Sequence, residues 1–257
     1  MQRLLAALLV AISGPAAAQS LLTRDNGPMI PPPPFESTRI GVTVFSGLAS
    51  NAGLPDDLRF ARLAMQAGNV VSPLMLRDLA DRRDGLAAQR YVDWLLTEAP
   101  DPAYSDIATY AAIAAGTGRT GYLAEFIAAL YHLEPATEPA ERKSLYVSVL
   151  YPHAWAGNLL ALDAVIDLNG ADRLFGDLSD ATRTRILEID SAQGSGRAAL
   201  RMAVGLLLEN PRDAAEEAMI DDYLTRAMSG DHLGIRVTAA NLLAGRGSAA
   251  VDGVLAR

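Results

Sequence analysis

Few residues in this chain have the type and spacing to do chemistry, and most of those fail on context. Gly116-Thr-Gly118-Arg-Thr-Gly121 fits G-x-G-x-x-G, the turn that lays a pyrophosphate on a helix N-terminus. That use requires a buried strand before the first glycine, and the preceding Tyr110–Ala115 is alanine-rich and helical in character. Tyr122 follows Gly121 where a phosphate loop of the G-x-x-x-x-G-K type needs lysine. Asp167-Leu-Asn169-Gly-Ala-Asp172 opens like a calcium loop, but Asp172 replaces the required glycine and Leu178 the closing glutamate. The three histidines, His132, His153 and His232, form no H-x-x-x-H pair for zinc. There is no cysteine, which excludes disulfides, thiolate metal sites and cysteine nucleophiles. No serine stands in G-x-S-x-G. Asp93, Glu125, Asp163 and Asp167 could serve glycan hydrolysis, which needs two carboxyl groups roughly 5–10 Å apart; spacing does not choose among them. The expectation is a chain with no cofactor, no metal and no assignable catalytic residue.

One patch is locally unusual. Aromatic residues make up 6% of the chain, yet Tyr146, Tyr151, His153 and Trp155 cluster around one junction, with Tyr131 and His132 one unit earlier. Tyr and Trp combine a large contact area with a polar tip, as binding hot spots do; aromatic residues also fill helix crossings. The candidate partner-binding residues are Tyr131, His132, Tyr151, His153 and Trp155. Of these, Trp155 is expected in the core, and Tyr151 or His153 exposed.

The elements that would position these residues are repeated. Gly47, Gly85, Gly121, Gly157, Gly196 and Gly234 recur at intervals of 38, 36, 36, 39 and 38 residues, a period that fits two-helix units. Ser72-Pro73, Asp101-Pro102 and Asn210-Pro211 each set a capping side chain before a proline suited to the first helical turn. Ser179-Asp180 is a further capped start, and Pro139 opens another helix. Between the caps, apolar residues recur at three and four, as in Leu123, Phe126, Ile127 and Leu130. The reading is an all-α fold, an α-solenoid of about five to six stacked pairs. These are 57–67 with 73–83, 86–98 with 103–115, 121–133 with 140–150, 158–168 with 180–190, 197–209 with 212–228, and 235–244 with a short terminal helix. One pair cannot bury both its apolar faces, so neighbours must stack.

Over about residues 196–247 the sequence resembles a Sel1-like repeat, a subtype of the tetratricopeptide superfamily. The carriers are Gly196-Arg-Ala-Ala-Leu-Arg-Met-Ala-Val204-Gly205-Leu-Leu-Leu208, Tyr223-Leu-Thr-Arg-Ala227-Met-Ser-Gly230 and Asn241-Leu-Leu-Ala-Gly245-Arg-Gly247. Earlier units keep the period without the paired alanines, so they fit a tetratricopeptide-like or a HEAT-like pattern equally. The resemblance implies adaptor or scaffold work and brings no catalytic residues.

The first 18 residues have the order of a secretory signal: Arg3, the apolar Leu4–Ile12, and Ala16-Ala17-Ala18 before Gln19. The expected organisation is signal peptide 1–18, Pro-rich tether and lead-in 19–54, and helical-repeat domain 55–257. Pro31–Pro34 reads as an extended spacer, and Ile40–Phe45 as an apolar lead-in packed on the first helix. The expected address is the periplasm or the medium. Formal net charge is −8, one unit more negative once Arg3 is lost, with the acids scattered as solvated helix faces. That balance disfavours nucleic acid and anionic membranes. The expected function is an exported scaffold or adaptor that binds a protein or peptide partner, with no nucleic acid and no membrane span after signal removal. The alternative is an exported all-α enzyme, or enzyme subunit, acting on cell-envelope polymer.

Overall fold

The computed structural model describes residues 30–99, 101–209 and 213–255. The signal segment and residues 19–29 of the tether lie outside the described residues, as do the Asn210-Pro211 start and the chain end at 256–257. Among the described residues there is no strand. No helix there is long and apolar enough to cross a membrane.

A short turn of helix, α1 (Phe35–Thr38), precedes eleven further helices. These are α2 (Asp56–Gln66), α3 (Pro73–Ala80), α4 (Gly85–Thr97), α5 (Tyr104–Gly116), α6 (Leu123–Leu130), α7 (Ala140–Trp155), α8 (Leu159–Asp167), α9 (Asp180–Ala192), α10 (Arg197–Leu207), α11 (Ala214–Met228) and α12 (Leu233–Leu255). Two of the expected caps form. The Ser72 hydroxyl accepts from the Met75 N–H at 3.5 Å with Pro73 in the first turn, and Ser179 accepts from the Thr182 N–H at 3.2 Å. Asp101 does not cap α5, which starts at Tyr104 behind Ala103 with no side-chain cap. The start of α11 is held by a capping box instead: Asp213 accepts from Ala215 and Glu216, and Glu216 reaches back to the Asp213 N–H.

The last expected pair is a single helix, α12. Gly245 and Gly247 each cost a helix only about 1 kcal/mol and no proline interrupts the run, so the helix continues.

Packing joins consecutive and next-consecutive helices: α2 to α3, α3 to α4, α4 to α5, α5 to α6 and α7, α6 to α8, and so on to α11 and α12. This local pattern is consistent with a helical repeat. The core follows the apolar stripes. The α5 face of Ala108, Ala111, Ala112 and Ala115 is fully buried, and its small side chains let α4, α6 and α7 come close. Phe126, Leu130, Tyr146 and Leu150 fill the space beyond it. One close approach depends on glycine. Gly196, at φ +65°, opens α10 against the end of α11, and a Cβ there would stand 2.7 Å from the Ala227 carbonyl oxygen. No such demand exists at Gly121, where a Cβ would meet open space. The glycine period therefore marks the turns without being sterically required at each one.

One pairing among the described residues departs from this local pattern. α1 packs on α8, because residues 30–48 lie against the stack. Within the described residues, the segment expected to be a spacer is a strap.

Candidate functional site

The turns α3–α4, α5–α6, α7–α8, α9–α10 and α11–α12 each bring residues to one segment of chain, the strap of residues 30–48. The strap runs along the edge formed by these turns, against the order of the helices. Pro31, Pro32, Pro34 and Ser37 face Gln193–Ser195, Asp231, His232 and Ile235 across a cavity of about 310 Å³. Next, the Asn158 side-chain amide donates to the carbonyls of Thr38 and Ile40, at 2.9 and 2.6 Å. The Val42 N–H donates to His153 Nδ1 at 3.4 Å. The N–H groups of Val44 and Phe45 share the Gly116 carbonyl, at 2.8 and 3.1 Å. The Leu48 N–H reaches the Arg83 carbonyl at 2.9 Å, and the Leu48 carbonyl accepts from Arg62. Ile40–Phe45 thus crosses the α5 and α7 ends rather than packing on the first helix. Its β-branched Ile40, Val42, Thr43 and Val44 favour extended backbone, and extended backbone needs partners for its polar groups.

The partners on this edge come from the local fold. Asn158 caps α8 by accepting from the Ala161 N–H at 3.0 Å, which leaves its amide free to donate outward. Arg83, in the turn between α3 and α4, stands at φ +62°, a left-handed conformation that costs a side-chain-bearing residue roughly 1–2 kcal/mol. That turn presents its carbonyl to Leu48, while its guanidinium lies 4.7 Å from the Phe45 ring centre. His153 is fully buried, and burial lowers its pKa below the ordinary imidazole value. Its Nδ1 accepts a hydrogen bond, so the ring is neutral with the proton on Nε2. Nε2 has no hydrogen-bond partner among the described residues.

The first helices of successive pairs carry a second polar row. Tyr122 donates to Asp93 at 2.5 Å. Glu125 is half-buried with Oε2 lacking a partner; burial first, and the Asp93 charge second, raise its pKa. Tyr131 donates to Asp167 at 2.9 Å, and Arg201 grips Asp167 with two bonds of 2.9 and 2.7 Å. Burial, and then the Asp167 charge, hold the Tyr131 phenol well above its ordinary pKa. Arg197 clasps Asp163 at 2.9 and 2.5 Å, with Arg201 3.7 Å from the same carboxylate. Of the four candidate carboxylates, Asp163 and Asp167 are thus taken up by arginines. Beside them a cleft of about 500 Å³, lined by Asn169, Arg173, Arg201, Met219 and Tyr223, opens under the α8–α9 loop. Among the described residues no group of three or more metal-ligating side chains forms.

The five predicted site residues do not form one patch. Tyr151 and Trp155 do meet, edge to face at 5.4 Å, with Phe175 beyond Tyr151 and the Arg185 guanidinium 5.2 Å from the Trp155 ring centre. Both are half-buried, and the Tyr151 hydroxyl donates to Asn169 at 3.1 Å. Trp155 is therefore less enclosed than expected. His153 is not an exposed member but lies beneath the strap. Tyr131 belongs to the charged row, and His132 is exposed, stacked on Tyr104 at 4.1 Å. Sequence reasoning missed Asn158 and Arg83 as strap ligands. It also missed the arginine pairs, although Asp163–Arg197 and Asp167–Arg201 share one separation of 34 residues, close to the repeat period.

No protein-family model matches the chain, and no curated protein or solved structure matches it either.

Proposed function

We propose that this chain is an exported α-solenoid scaffold of Sel1-like or tetratricopeptide-like helix pairs that docks a protein or peptide partner in the cell envelope. The observation that carries the reading is the strap itself. Residues 38–48 lie across the α3–α4, α5–α6 and α7–α8 turns and are held mainly through their backbone atoms. A surface that holds one extended segment in this way has the chemistry to hold another. Two further features support the repeat assignment. Packing runs from neighbour to neighbour, and the Gly196–Ala227 approach uses the small residues that the Sel1-like pattern sets there. The export signal at 1–18 places the work in the periplasm or outside the cell, on a mature chain beginning near Gln19.

The test is cross-linking capture from an envelope extract, with the chain from Gln19 as bait and the links read by mass spectrometry. A reproducible partner linked to residues within 55–255 is expected. Failure to capture a partner, together with degradation of envelope polymer by the purified chain, would replace the scaffold with the enzyme.

A further inference from the structure

We propose that the edge under the strap is the docking site for the partner, that its ligand is an extended segment with the strap's own pattern, and that residues 38–48 are its intramolecular competitor. This rests on the scaffold reading and adds the site, the ligand class and the regulation.

The ligand class follows from what the edge touches. The contacts of Asn158, His153, Gly116 and Arg83 all go to backbone N–H or carbonyl groups, so they require extended backbone rather than a particular side chain. Side chains enter at two points. A Cβ at Gly41 would collide with the Thr120 side chain, which confines that position to glycine. Phe45 lies between the Arg83 guanidinium and Gly116, where a Cβ on the glycine would stand 2.5 Å from the ring; this spot takes a flat aromatic. The ligand is therefore an extended segment that carries a glycine and, four residues on, an aromatic, with backbone N–H groups free to donate between them.

Displaceability follows from burial. No residue from 30 to 53 is buried, whereas the turns beneath are anchored in a continuous core. A segment with no buried side chain and a handful of half-exposed hydrogen bonds opens without unfolding the helices. A partner that presents the same groups at higher effective concentration takes its place.

The experiment uses the full chain carrying Val42→Pro and Val44→Pro. These changes remove the Val42 N–H that bonds His153 and the Val44 N–H, the shorter of the two bonds to the Gly116 carbonyl, and alter no buried side chain. The probe is a fluorescent peptide of residues 38–48 with the natural sequence, followed by anisotropy. The doubly substituted chain should bind it saturably and at least tenfold tighter than the unsubstituted chain. Adding Asn158→Ser, which keeps a capping oxygen for α8 and loses the amide, should weaken binding about tenfold. Equal binding by both chains, or binding indifferent to Asn158→Ser, overturns the proposal.

The unsubstituted chain gives a second reading that needs no variant. Amides of 42–48 should exchange hydrogen well before those of α5 and α7, and faster still with excess peptide. Exchange of the strap in step with the core overturns the proposal. A partner captured equally by the natural and the doubly substituted chain would leave the scaffold standing and remove this edge as its site.

Discussion

Two faces of this stack carry polar groups in opposite ways. Along α6, α8 and α10, Asp163, Arg197, Arg201, Asp167 and Tyr131 satisfy one another across three units, and Asp163 and Arg197 are almost fully enclosed. Along the strap edge, a handful of hydrogen bonds to Asn158, His153, Gly116 and Arg83 hold a segment in which no residue is buried. A charge withdrawn from water with its partner leaves the partner stranded if it goes, so the first face fixes the register of the units. Backbone bonds at a half-exposed edge exchange readily with water, so the second face can let go. The same fold thus has one seam that must not open and one that can.

The largest effect should come from breaking the first seam. Asp163→Ala strands the Arg197 guanidinium in the interior, at a cost of about 3–5 kcal/mol. For a chain of this size that lowers the melting temperature by roughly 10 °C. Asp163→Leu combined with Arg197→Met removes both charges and should recover most of the loss, since an apolar pair of similar volume replaces them. Thermal melts of the three chains decide it. A single variant as stable as the natural chain would mean that the row is no more structural than the strap.

The local parts of this contrast were legible in the sequence, and the long-range parts were not. Ser72-Pro73 and Ser179-Asp180 announce their helices because a cap acts within one turn, and the periodic glycines mark the turns for the same reason. The strap could not be read. Asn158 meets Thr38 and Ile40 across about 120 residues, and nothing within Ile40–Phe45 says which turn it will cross. His153 looked like one of an aromatic group, but helical spacing on α7 turns it to the buried strap side while Tyr151 and Trp155 face the α8–α9 loop. The charged row lies between these cases. Two acid–arginine pairs with one common separation are a repeat-period signal in plain sight, but scattered acids on helices ordinarily read as solvated faces.

An intermediate effect should arise at a separate buried ion pair under the end of the strap. Arg62 is buried, bonds Asp84 at 2.6 Å and Asn51 at 2.7 Å, and also donates to the Leu48 carbonyl at the end of the strap. Arg62→Met leaves Asp84 without its cation, but Asp84 keeps the Leu86 and Ala87 N–H groups at 3.0 Å and the start of α4 beside it. Those donors and the helix N-terminus compensate much of the stranded charge. The expected loss is about 2 kcal/mol, the scale of a buried polar group deprived of one partner. Proteolysis near Arg39 should accelerate at the same time, which Asp163→Ala should not produce under native conditions. A strap that stays protected in Arg62→Met would show that its end is held elsewhere.

The smallest effect should appear with pH, through His153 at the strap edge. His153 is neutral, with its pKa lowered by burial from the ordinary value of about 6.5. Between the lowered value and the ordinary one, the unfolded chain binds a proton that the folded chain refuses, so stability rises with pH across that window and is lost on acidification. Protonation must take place at Nδ1, the atom that accepts from Val42, so acid removes that strap bond as well. Burial raises the pKa of Asp190 and Glu125, whose folded forms hold protons that the unfolded chain has released. Acidification therefore relieves those two carboxyls, with the opposite sign. Subtraction separates the groups. His153→Asn keeps an oxygen near the Nδ1 position and does not titrate, so the difference in stability between natural chain and variant isolates the imidazole. That difference should be flat above pH 7 and should turn against the natural chain as pH falls below about 6.5, by about 1.4 kcal/mol for each unit by which the folded pKa is lowered. Strap amides should exchange faster over the same interval, while those of α8 and α10 hold steady. A pH-independent difference would mean that His153 binds its proton as readily in the folded chain as in the unfolded one, so that burial under the strap does not hold the imidazole neutral.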